Sequence, residues 1–310
     1  MQEPPKRRVH AVVFVLMLLA SAIVAGTIYF AKPHQPGALR VTVLDVGQGD
    51  SIVVETPNGH VMLIDGGGAN GEKTVDPGHV GERVVVPYLR YRGIQKIDLL
   101  VLTHPHGDHV GGLIAVLQSI PVGQVMDGTI LPYPTIGYTQ FLQSIRTLKI
   151  PYTHAVRGMH IDLGAGVSAD VLNPPATGRA YGSLPDNSTV NNYSAVLRLT
   201  YGSTHFMLDG DAQDEAEQNM LNAGLNVSAD VLKTGHHGAG NASSDPWLAA
   251  VHPQYAAISC GRHNHFGHPH PLTLARLAAH HIIVFRTDQN GAITYTSDGT
   301  TVTAVPFIAK

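Results

Sequence analysis

The sequence predicts a layered α/β sandwich with a functional site along one edge of its sheets. Short apolar runs rich in β-branched residues recur from residue 39 onward and are separated by Gly-rich turns, which is typical of strands. Three of these runs, residues 97–103, 205–208 and 230–233, end directly at histidine or aspartate residues. Because ligands of α/β sheets bind beyond the carboxyl ends of the strands, we expect these polar residues to meet there.

The N-terminus predicts a membrane anchor. Three consecutive basic residues at positions 6–8 precede residues 9–31, which contain no Lys, Arg, Asp or Glu. At about 1.5 Å per residue, a helix of this length crosses a hydrocarbon core of ~30 Å. The alternative is a cleaved signal peptide, because residues 20–22, Ala-Ser-Ala, resemble a cleavage site.

The chain therefore divides into four predicted parts. Residues 1–8 form a basic cytoplasmic tail, 9–31 a transmembrane signal anchor, 32–38 a linker and 39–310 one folded domain. Under the positive-inside tendency the tail stays in the cytoplasm and the domain lies outside it. The predicted location is the cell membrane, crossed once, with secretion after cleavage as the alternative. No protein partner can be inferred from the sequence.

Composition and charge narrow the chemistry. Four basic and one acidic residue fall within residues 1–32, which leaves 16 basic against 22 acidic residues in the rest, a net charge of −6. The predicted outer domain therefore has no general electrostatic attraction for a polyphosphate backbone. Cys260 is the sole cysteine, so neither an intrachain disulfide nor a thiolate zinc cluster can form. Any metal must be held by histidines and carboxylates.

The predicted elements follow one another in a clear order. Residues 57–59, Pro-Asn-Gly, are a strong hairpin-turn signal between two strands. Residues 121–190, rich in Pro, Gly and Tyr, show no periodic pattern that places their elements. The other predicted elements are strands at 39–44, 51–56, 60–64, 97–103, 195–200, 205–208 and 230–233, a helix at 110–120 that begins at the glycine pair 111–112, and a helix at 212–223.

Histidine clustering indicates a metal. Nine of the 19 histidines fall in three clusters, at positions 104, 106 and 109, at 236 and 237, and at 263, 265, 268 and 270. His104 and His106 are two apart on an extended segment and can point the same way, while Asp108 and His109 can turn toward a second position. Imidazole and carboxylate ligands suit zinc, with manganese or iron as alternatives. We expect one or two divalent ions.

Two later motifs supply further candidates. Asp211 closes a strand in LDGD, where its carboxylate can bridge two metals or hold one, although such an Asp is often a turn or a helix cap. In TGHHG one of the two histidines is expected to complete a metal site. The Gly-His step favours His236, and His237 remains the alternative. Lys233 either pairs with a substrate anion or extends its ammonium into water.

These motifs resemble a known family. THPHGDHVGG, with LIDGG, DGD and GHHG in order, resembles the signature of the metallo-β-lactamase superfamily. More narrowly, LDVGQGDS, VLKTGHHG and GHPHP, within residues 39–285, resemble the extracytoplasmic domain of ComEC-type competence DNA-uptake channels. The resemblance implies a four-layer αββα sandwich and a metal-dependent hydrolase. ComEC-type channels also carry a multi-helix pore, whereas a single span is predicted here, so no DNA channel is inferred.

The resemblance also implies roles for single residues. Asp65 of LIDGG would orient the metal ligands, although it could be a plain turn residue. His104 and His106 would bind a first metal, Asp108 and His109 a second, with Asp211 between them and His236 or His237 on the second metal.

One ligand of the superfamily pattern is missing. Its members usually supply one more histidine to the first metal, but the expected place here, residues 191–194, reads Asn-Asn-Tyr-Ser. Asn192 stands in that gap, and His154 and His160 are the histidines of the interval. The last cluster, with His268, could supply a replacement ligand or bind substrate, or it could be a polar loop.

The expected reaction is metal-assisted hydrolysis. A water activated by the metal attacks an ester centre, and Asp108 and Asp211 orient that water and accept its proton. The ComEC-type resemblance implies phosphodiesters, so we expect a phosphodiesterase, with DNA as a candidate substrate. The alternatives are hydrolysis of a cell-wall or headgroup phosphodiester, a lactone or a β-lactam. A further alternative, motivated by the missing histidine, is a binding module that has lost turnover.

Overall fold

A computed structural model of the chain describes residues 37–69, 79–176 and 184–308. The predicted cytoplasmic tail and signal anchor lie outside these ranges. Within them, no helix combines the length and the apolar character that a membrane crossing requires.

In the described residues, fifteen strands form two sheets, and short helices join and cover them. The strands are β1 (Leu39–Val43), β2 (Ile52–Glu55), β3 (Val61–Ile64), β4 (Ile97–Leu102), β5 (Val122–Asp127), β6 (Tyr152–His154), β7 (His160–Gly164), β8 (Val167–Asn173), β9 (Val196–Tyr201), β10 (Thr204–Leu208), β11 (Val231–Lys233), β12 (Tyr255–Ile258), β13 (Ile283–Arg286), β14 (Ile293–Ser297) and β15 (Val302–Pro306). The helices are α1 (Val86–Tyr91), which continues a π-helical turn at Gly81–Val85, α2 (Gly107–Val110), α3 (Leu113–Ser119), α4 (Ile136–Leu148), α5 (Asn187–Asn192), α6 (Asp214–Asn222), α7 (Asp245–Val251), α8 (Pro271–Ala279) and α9 (Thr287–Asn290), with a 3₁₀ turn at Gly235–Gly238.

Each sheet changes from antiparallel to parallel pairing along its width. The first has the order β15-β14-β1-β2-β3-β4-β5-β6 and is parallel from β3 onward. The second has the order β13-β12-β11-β10-β9-β8-β7 and is parallel from β13 to β10. The carboxyl ends of β3, β4, β10, β11 and β12 therefore open the loops from which the candidate site is built.

The core has three parts that define four layers. Residues such as Val54 and Val101 of the first sheet pack against Leu199 and Phe206 of the second. The next residue along β2, Val53, points to the other face and packs against helices α1, α3 and α4. Helices α6, α7 and α8 cover the outer face of the second sheet in the same way. The layers run helix, sheet, sheet, helix, and the predicted mixed α/β sandwich is confirmed.

The predicted hairpin is confirmed, but the helix after the histidine cluster begins differently. We predicted one helix from the glycine pair 111–112, with the whole cluster on the preceding loop. The structure instead forms α2 and α3, and Asp108 and His109 lie on the one-turn α2. The helix is interrupted because the backbone N–H of Gly112 donates to the carbonyl of Gly67 at 3.0 Å instead of within the helix, and a Cβ on Gly112 would lie 2.1 Å from the carbonyl oxygen of Gly66.

Residues 121–190 gave the weakest prediction and hold β5 to β8, α4 and α5. Helix α4 begins at Thr135, whose hydroxyl accepts a hydrogen bond from the backbone N–H of Tyr138 at 3.2 Å. Its buried residues Tyr138, Phe141 and Ile145 follow the helical spacing and pack against the first sheet. A single amphipathic helix thus covers this end of the sheet.

We expect Phe141→Ala to lower the free energy of unfolding by about 3–5 kcal/mol, because the ring is fully buried and its loss leaves a cavity. Urea denaturation of the purified chain, followed by circular dichroism, measures the change. Leu148→Ala is the matched control, since Leu148 lies on the same helix and is 51% exposed. Equal losses in the two variants would contradict the packing of α4.

Candidate metal centre

Four buried ligand-type side chains form the first group: Asp108, His109, Asp211 and His237, whose ligand atoms lie within 4.8 Å of one another. His109 Nε2 lies 3.4 Å and His237 Nε2 lies 3.5 Å from Oδ1 of Asp211. His237 Nε2 is also 3.3 Å from Oδ2 of Asp108. These distances place two imidazole nitrogens and two carboxylates around one position. We call this set the inner group.

Three side chains form a second group beside it: His104, His106 and again Asp211. Nε2 of His104 lies 2.9 Å from Nδ1 of His106 and 3.7 Å from Oδ2 of Asp211. Asp211 therefore presents one oxygen to each group. We call this second set the outer group, because His106 is partly exposed whereas every member of the inner group is buried.

Hydrogen bonds behind the histidines fix the direction of their nitrogens. Nδ1 of His109 donates to Oδ2 of Asp65 at 2.8 Å, and Nδ1 of His237 donates to the carbonyl of Ser259 at 3.0 Å. Asp65 is held in turn by the backbone N–H and the hydroxyl of Thr103, at 2.8 and 2.7 Å. Such partners leave Nε2 bare and aimed at the group, as in histidine metal sites. Asp65 thus lies where the resemblance implies.

The donor set fits divalent cations. Within the described part of the chain, no hydrogen-bond partner of standard geometry is found for four buried atoms: Nε2 of His106, His109 and His237 and Oδ1 of Asp211. Buried polar atoms normally have one, so these four atoms require another partner. Nitrogen and oxygen donors at this spacing suit zinc, and also manganese or iron. The inner group could therefore hold one metal ion, and the outer group could hold another.

The electrostatics of the inner group agree. Burial opposes the charged form of His237, yet Asp211, Asp108 and Asp50 raise the pKa of its imidazole to about 10. Burial likewise opposes the charged carboxylate of Asp211, but His237 and His109 hold its pKa well below the usual range. The shift of Asp211 reports positive charge on the neighbouring imidazoles, and the shift of His237 reports buried negative charge around it. A cation placed among these residues would relieve it.

Sequence reasoning missed a buried ion pair behind the inner group. Lys233 is fully buried, and its ammonium contacts Oδ2 of Asp50 and donates to the carbonyl of Thr234 at 2.9 Å. Burial alone would raise the pKa of Asp50, but Lys233 and His237 lower it to about 2. Lys233 therefore neither extends into water nor is open to a substrate anion, because Asp50 holds it inside. The signal for Asp50 was its place in LDVGQGDS, directly before a buried strand.

The two adjacent histidines of TGHHG lie on opposite sides of Asp211. His236 and His237 both adopt left-handed backbone conformations, with φ of 45° and 55°, and their ring centroids are 6.1 Å apart. His237 belongs to the inner group, which is the place that the prediction gave preferentially to His236. Nε2 of His236 instead lies 3.9 Å from Oδ2 of Asp211, the oxygen that faces the outer group.

Asn191 and Asn192, which stand where the family pattern has its missing histidine, contact different partners. Nδ2 of Asn191 lies 3.3 Å from Nε2 of His236. Asn192, the predicted occupant, turns away, because its Oδ1 accepts hydrogen bonds from the backbone N–H groups of Gln213 and Ala216, at 3.2 and 3.1 Å, where α6 begins. The histidines of the interval lie elsewhere in the fold. His154 is exposed on β6, and His160, also exposed, pairs with Asp170.

His268 lies at the mouth of the centre. Its ring centroid is 5.3 Å from that of His236, and its Nδ1 is 3.4 Å from Nε2 of Gln48. Burial, together with the neighbouring His236 and His237, lowers the pKa of His268 to about 4, so its imidazole is neutral at neutral pH. Its ligand atoms belong to neither group, so contact with substrate and a plain polar loop remain the alternatives for this residue.

Comparison with known proteins agrees with this fold and centre. The sequence model of the Metallo-beta-lactamase superfamily matches residues 44–262. ComE operon protein 3 of Bacillus subtilis is 34% identical over 86% of the chain, and competence protein ComA of Neisseria gonorrhoeae is 33% identical over 89%. These matches confirm the predicted ComEC-type resemblance. They cover 34% and 35% of the relatives, so the chain spans about a third of their length.

Among solved structures, CmlA, a diiron β-hydroxylase from Streptomyces venezuelae, matches with a TM-score of 0.50 at 13% identity. The match covers 82% of this chain and 53% of that one. At this identity the likeness shows the fold alone.

We expect Lys233→Met to lower the free energy of unfolding by about 3–5 kcal/mol, because it leaves the buried carboxylate of Asp50 without a cation. Adding Asp50→Asn should restore most of the loss, since no buried charge then remains unpaired. Urea denaturation measures both variants. Lys96→Met is the control: its pair with Asp98 is largely exposed and contributes about 1 kcal/mol or less. A Lys233→Met variant as stable as the parent would disprove the buried pair.

Proposed function

The chain belongs to the metallo-β-lactamase superfamily, and on that premise we propose that it hydrolyses phosphodiesters with the help of two divalent cations. One observation supports this most directly: Asp211 presents its two oxygens to two separate sets of buried histidines. Two cations joined by one carboxylate form the arrangement that many phosphate-cleaving enzymes use. Zinc is the proposed metal, with manganese or iron as alternatives.

The proposed ligands follow from the two groups. The inner cation is held by Asp108, His109, Asp211 and His237. The outer cation is held by His104, His106 and Asp211, with His236 as its fourth ligand. His236 takes this place because its Nε2 faces the same oxygen of Asp211 as His104 does, at 3.9 Å and 3.7 Å. It thereby replaces the histidine that the family pattern supplies and this sequence lacks.

The protein contributes charge placement and orientation to the reaction. Divalent cations of such a centre polarise the phosphoryl oxygen and lower the pKa of water. Burial alone would raise the pKa of Asp108, but the larger combined effect of His109 and His237 lowers it below the usual value. This carboxylate is therefore ionised at neutral pH. Asp108 can therefore accept the proton of the attacking water, whereas Asp211, predicted to share this role, has both oxygens turned to the proposed cation positions and would act as their ligand. Asp65 and Thr103 keep His109 in one orientation during turnover.

The proposed substrate class rests on the resemblance to ComEC-type domains, which implies a nuclease that acts on DNA outside the cytoplasm. The predicted anchor would hold the domain at the outer surface of the membrane. Since residues 33–310 carry a net charge of −6, binding of a polyanion must depend on the cations and on a local surface beside them. A cell-wall or headgroup phosphodiester is the closest alternative substrate.

We expect the purified chain, loaded with Zn²⁺ or Mn²⁺, to hydrolyse bis(p-nitrophenyl) phosphate, and Asp108→Asn to lower kcat/KM by roughly 10²–10⁴-fold because a proton acceptor and ligand is lost. The rate is measured from the release of p-nitrophenol, followed by absorbance at about 405 nm. Asp170→Asn is the control, since Asp170 lies on the distant β8.

Assays of the same metal-loaded chain on a lactone and on a β-lactam distinguish the alternatives. A loaded chain that opens a lactone or β-lactam but leaves the phosphodiester intact would refute the proposed substrate class. A loaded chain that hydrolyses none of the three would favour the binding module.

The ligand assignment predicts which histidine serves which cation. We expect His237→Ala to lower the affinity for one equivalent of Zn²⁺ and His236→Ala to lower the affinity for the other. Each loss should exceed the ~10–100-fold that is typical when only a hydrogen-bond partner of a ligand is removed. The double variant should then lose both equivalents, as measured by equilibrium dialysis and elemental analysis. His268→Ala should retain both. If the two histidines served a single cation, the double variant would lose only one.

A further inference from the structure

The loop between β12 and α8 carries an unusual set of rings beside the metal centre. Residues 261–270 read Gly-Arg-His-Asn-His-Phe-Gly-His-Pro-His and contain no carboxylate. The side chain of Phe266 is 42% exposed although the core holds most large apolar residues. Single exposed apolar side chains are common at protein surfaces, so what distinguishes Phe266 is the set of rings beside it and not its exposure alone.

Phe266 lies in a continuous series of rings that leads to the centre. Its ring stacks on that of His268 at a centroid distance of 5.8 Å and an interplanar angle of 26°. The ring of His265 also packs against that of Phe266, at a centroid distance of 4.1 Å. His268 in turn lies 5.3 Å from His236 and 6.3 Å from His237. Phe266 is therefore separated from the proposed ligands by a single imidazole.

The loop is braced, which gives the ring a fixed position. The side chain of Asn264 donates to the carbonyl of Gly261 at 2.9 Å and also to the carbonyl of His268, and its Oδ1 accepts from the backbone N–H of His268 at 3.0 Å. Gln48 ties the loop to the neighbouring sheet, because its Oε1 accepts from the backbone N–H of Gly261 at 3.0 Å. Little ordering cost is then left for a ligand that stacks on Phe266.

We propose that Phe266, with His265 and His268, is a stacking platform for the nucleobase next to the phosphodiester that lies at the metal centre. Aromatic rings bind the bases of single strands by stacking, without regard to sequence. The absence of carboxylates in the loop avoids repulsion of the backbone phosphates. This inference rests on the proposed function and narrows its substrate class to single-stranded nucleic acid. A headgroup or cell-wall phosphodiester has no base to stack.

The test compares two fluorescent phosphorothioate oligomers, an oligothymidylate and an abasic strand of the same length and charge. Their affinities for the metal-loaded full chain are measured by fluorescence anisotropy, because phosphorothioates resist cleavage. We expect Phe266→Ala to raise the Kd of the oligothymidylate roughly ten-fold. The fold-change in the Kd of the abasic strand should be at least about five times smaller. Phe266→Tyr should restore the affinity. Phe307→Ala, which removes an 83% exposed ring elsewhere, is the control and should match the parent.

Two outcomes overturn the platform. One is a parent chain that binds the base-bearing and abasic strands equally, or binds neither. The other is a Phe266→Ala variant that loses the same affinity for both strands, as a disturbed loop would. The proposed function is read separately from p-nitrophenol release. A chain that hydrolyses the chromogenic diester and binds both strands equally keeps its phosphodiesterase activity and loses the platform.

Discussion

The buried carboxylate of Asp211 is the constraint on which the candidate centre depends. It follows β10, is 2% exposed, and has an imidazole nitrogen from each group within 4 Å. An ionised carboxylate away from water costs several kcal/mol unless opposite charge compensates it. The one buried lysine behind the centre, Lys233, is already paired with Asp50. Compensation for Asp211 therefore falls to His109 and His237, whose imidazole pKa values are raised, or to cations, which leave the same histidines neutral and able to bind.

The fold meets this constraint by bringing the backbones very close together. The chain around α2 is clamped between the loops that follow β1 and β3: the backbone N–H of Asp50 donates to the carbonyl of Asp108 at 3.2 Å, and that of Gly66 to the carbonyl of His109 at 2.7 Å. A Cβ on Gly49 would lie 2.3 Å from the same Asp108 oxygen, so only glycine fits there. The glycines of LDVGQGDS and LIDGG thus share a purpose. They let neighbouring backbones fix the main chain of Asp108 and His109, while the side chain of Asp65 orients the imidazole of His109.

The layered architecture and seven of the fifteen described strands could be predicted because those strands are short apolar runs that end at polar residues; β5 to β8 and β12 to β15 were not predicted. The site was harder. His104 and Asp108 could be found from their spacing and Asp65 from the family resemblance, but the ion pair of Asp50 and Lys233 joins residues 183 positions apart, and nothing near either position indicates its partner. The choice between the histidines of TGHHG depends on two consecutive left-handed residues, and propensity does not predict a positive φ for histidine.

The asymmetry expected between the two metal positions remains, but its origin is different. In the proposed assignment His236 would be the fourth ligand of the outer position, so that the two positions would differ in exposure instead. All four residues of the inner group are buried, whereas His106 is partly exposed and the side chain of His236 is 26% exposed. A cation in the outer position is therefore the one that solvent and substrate reach first, and it should exchange more readily. His268 and the loop of Phe266 lie against His236 on this open side. Under the proposed function, a substrate would enter from the side on which His236 is exposed and would meet this loop on the way.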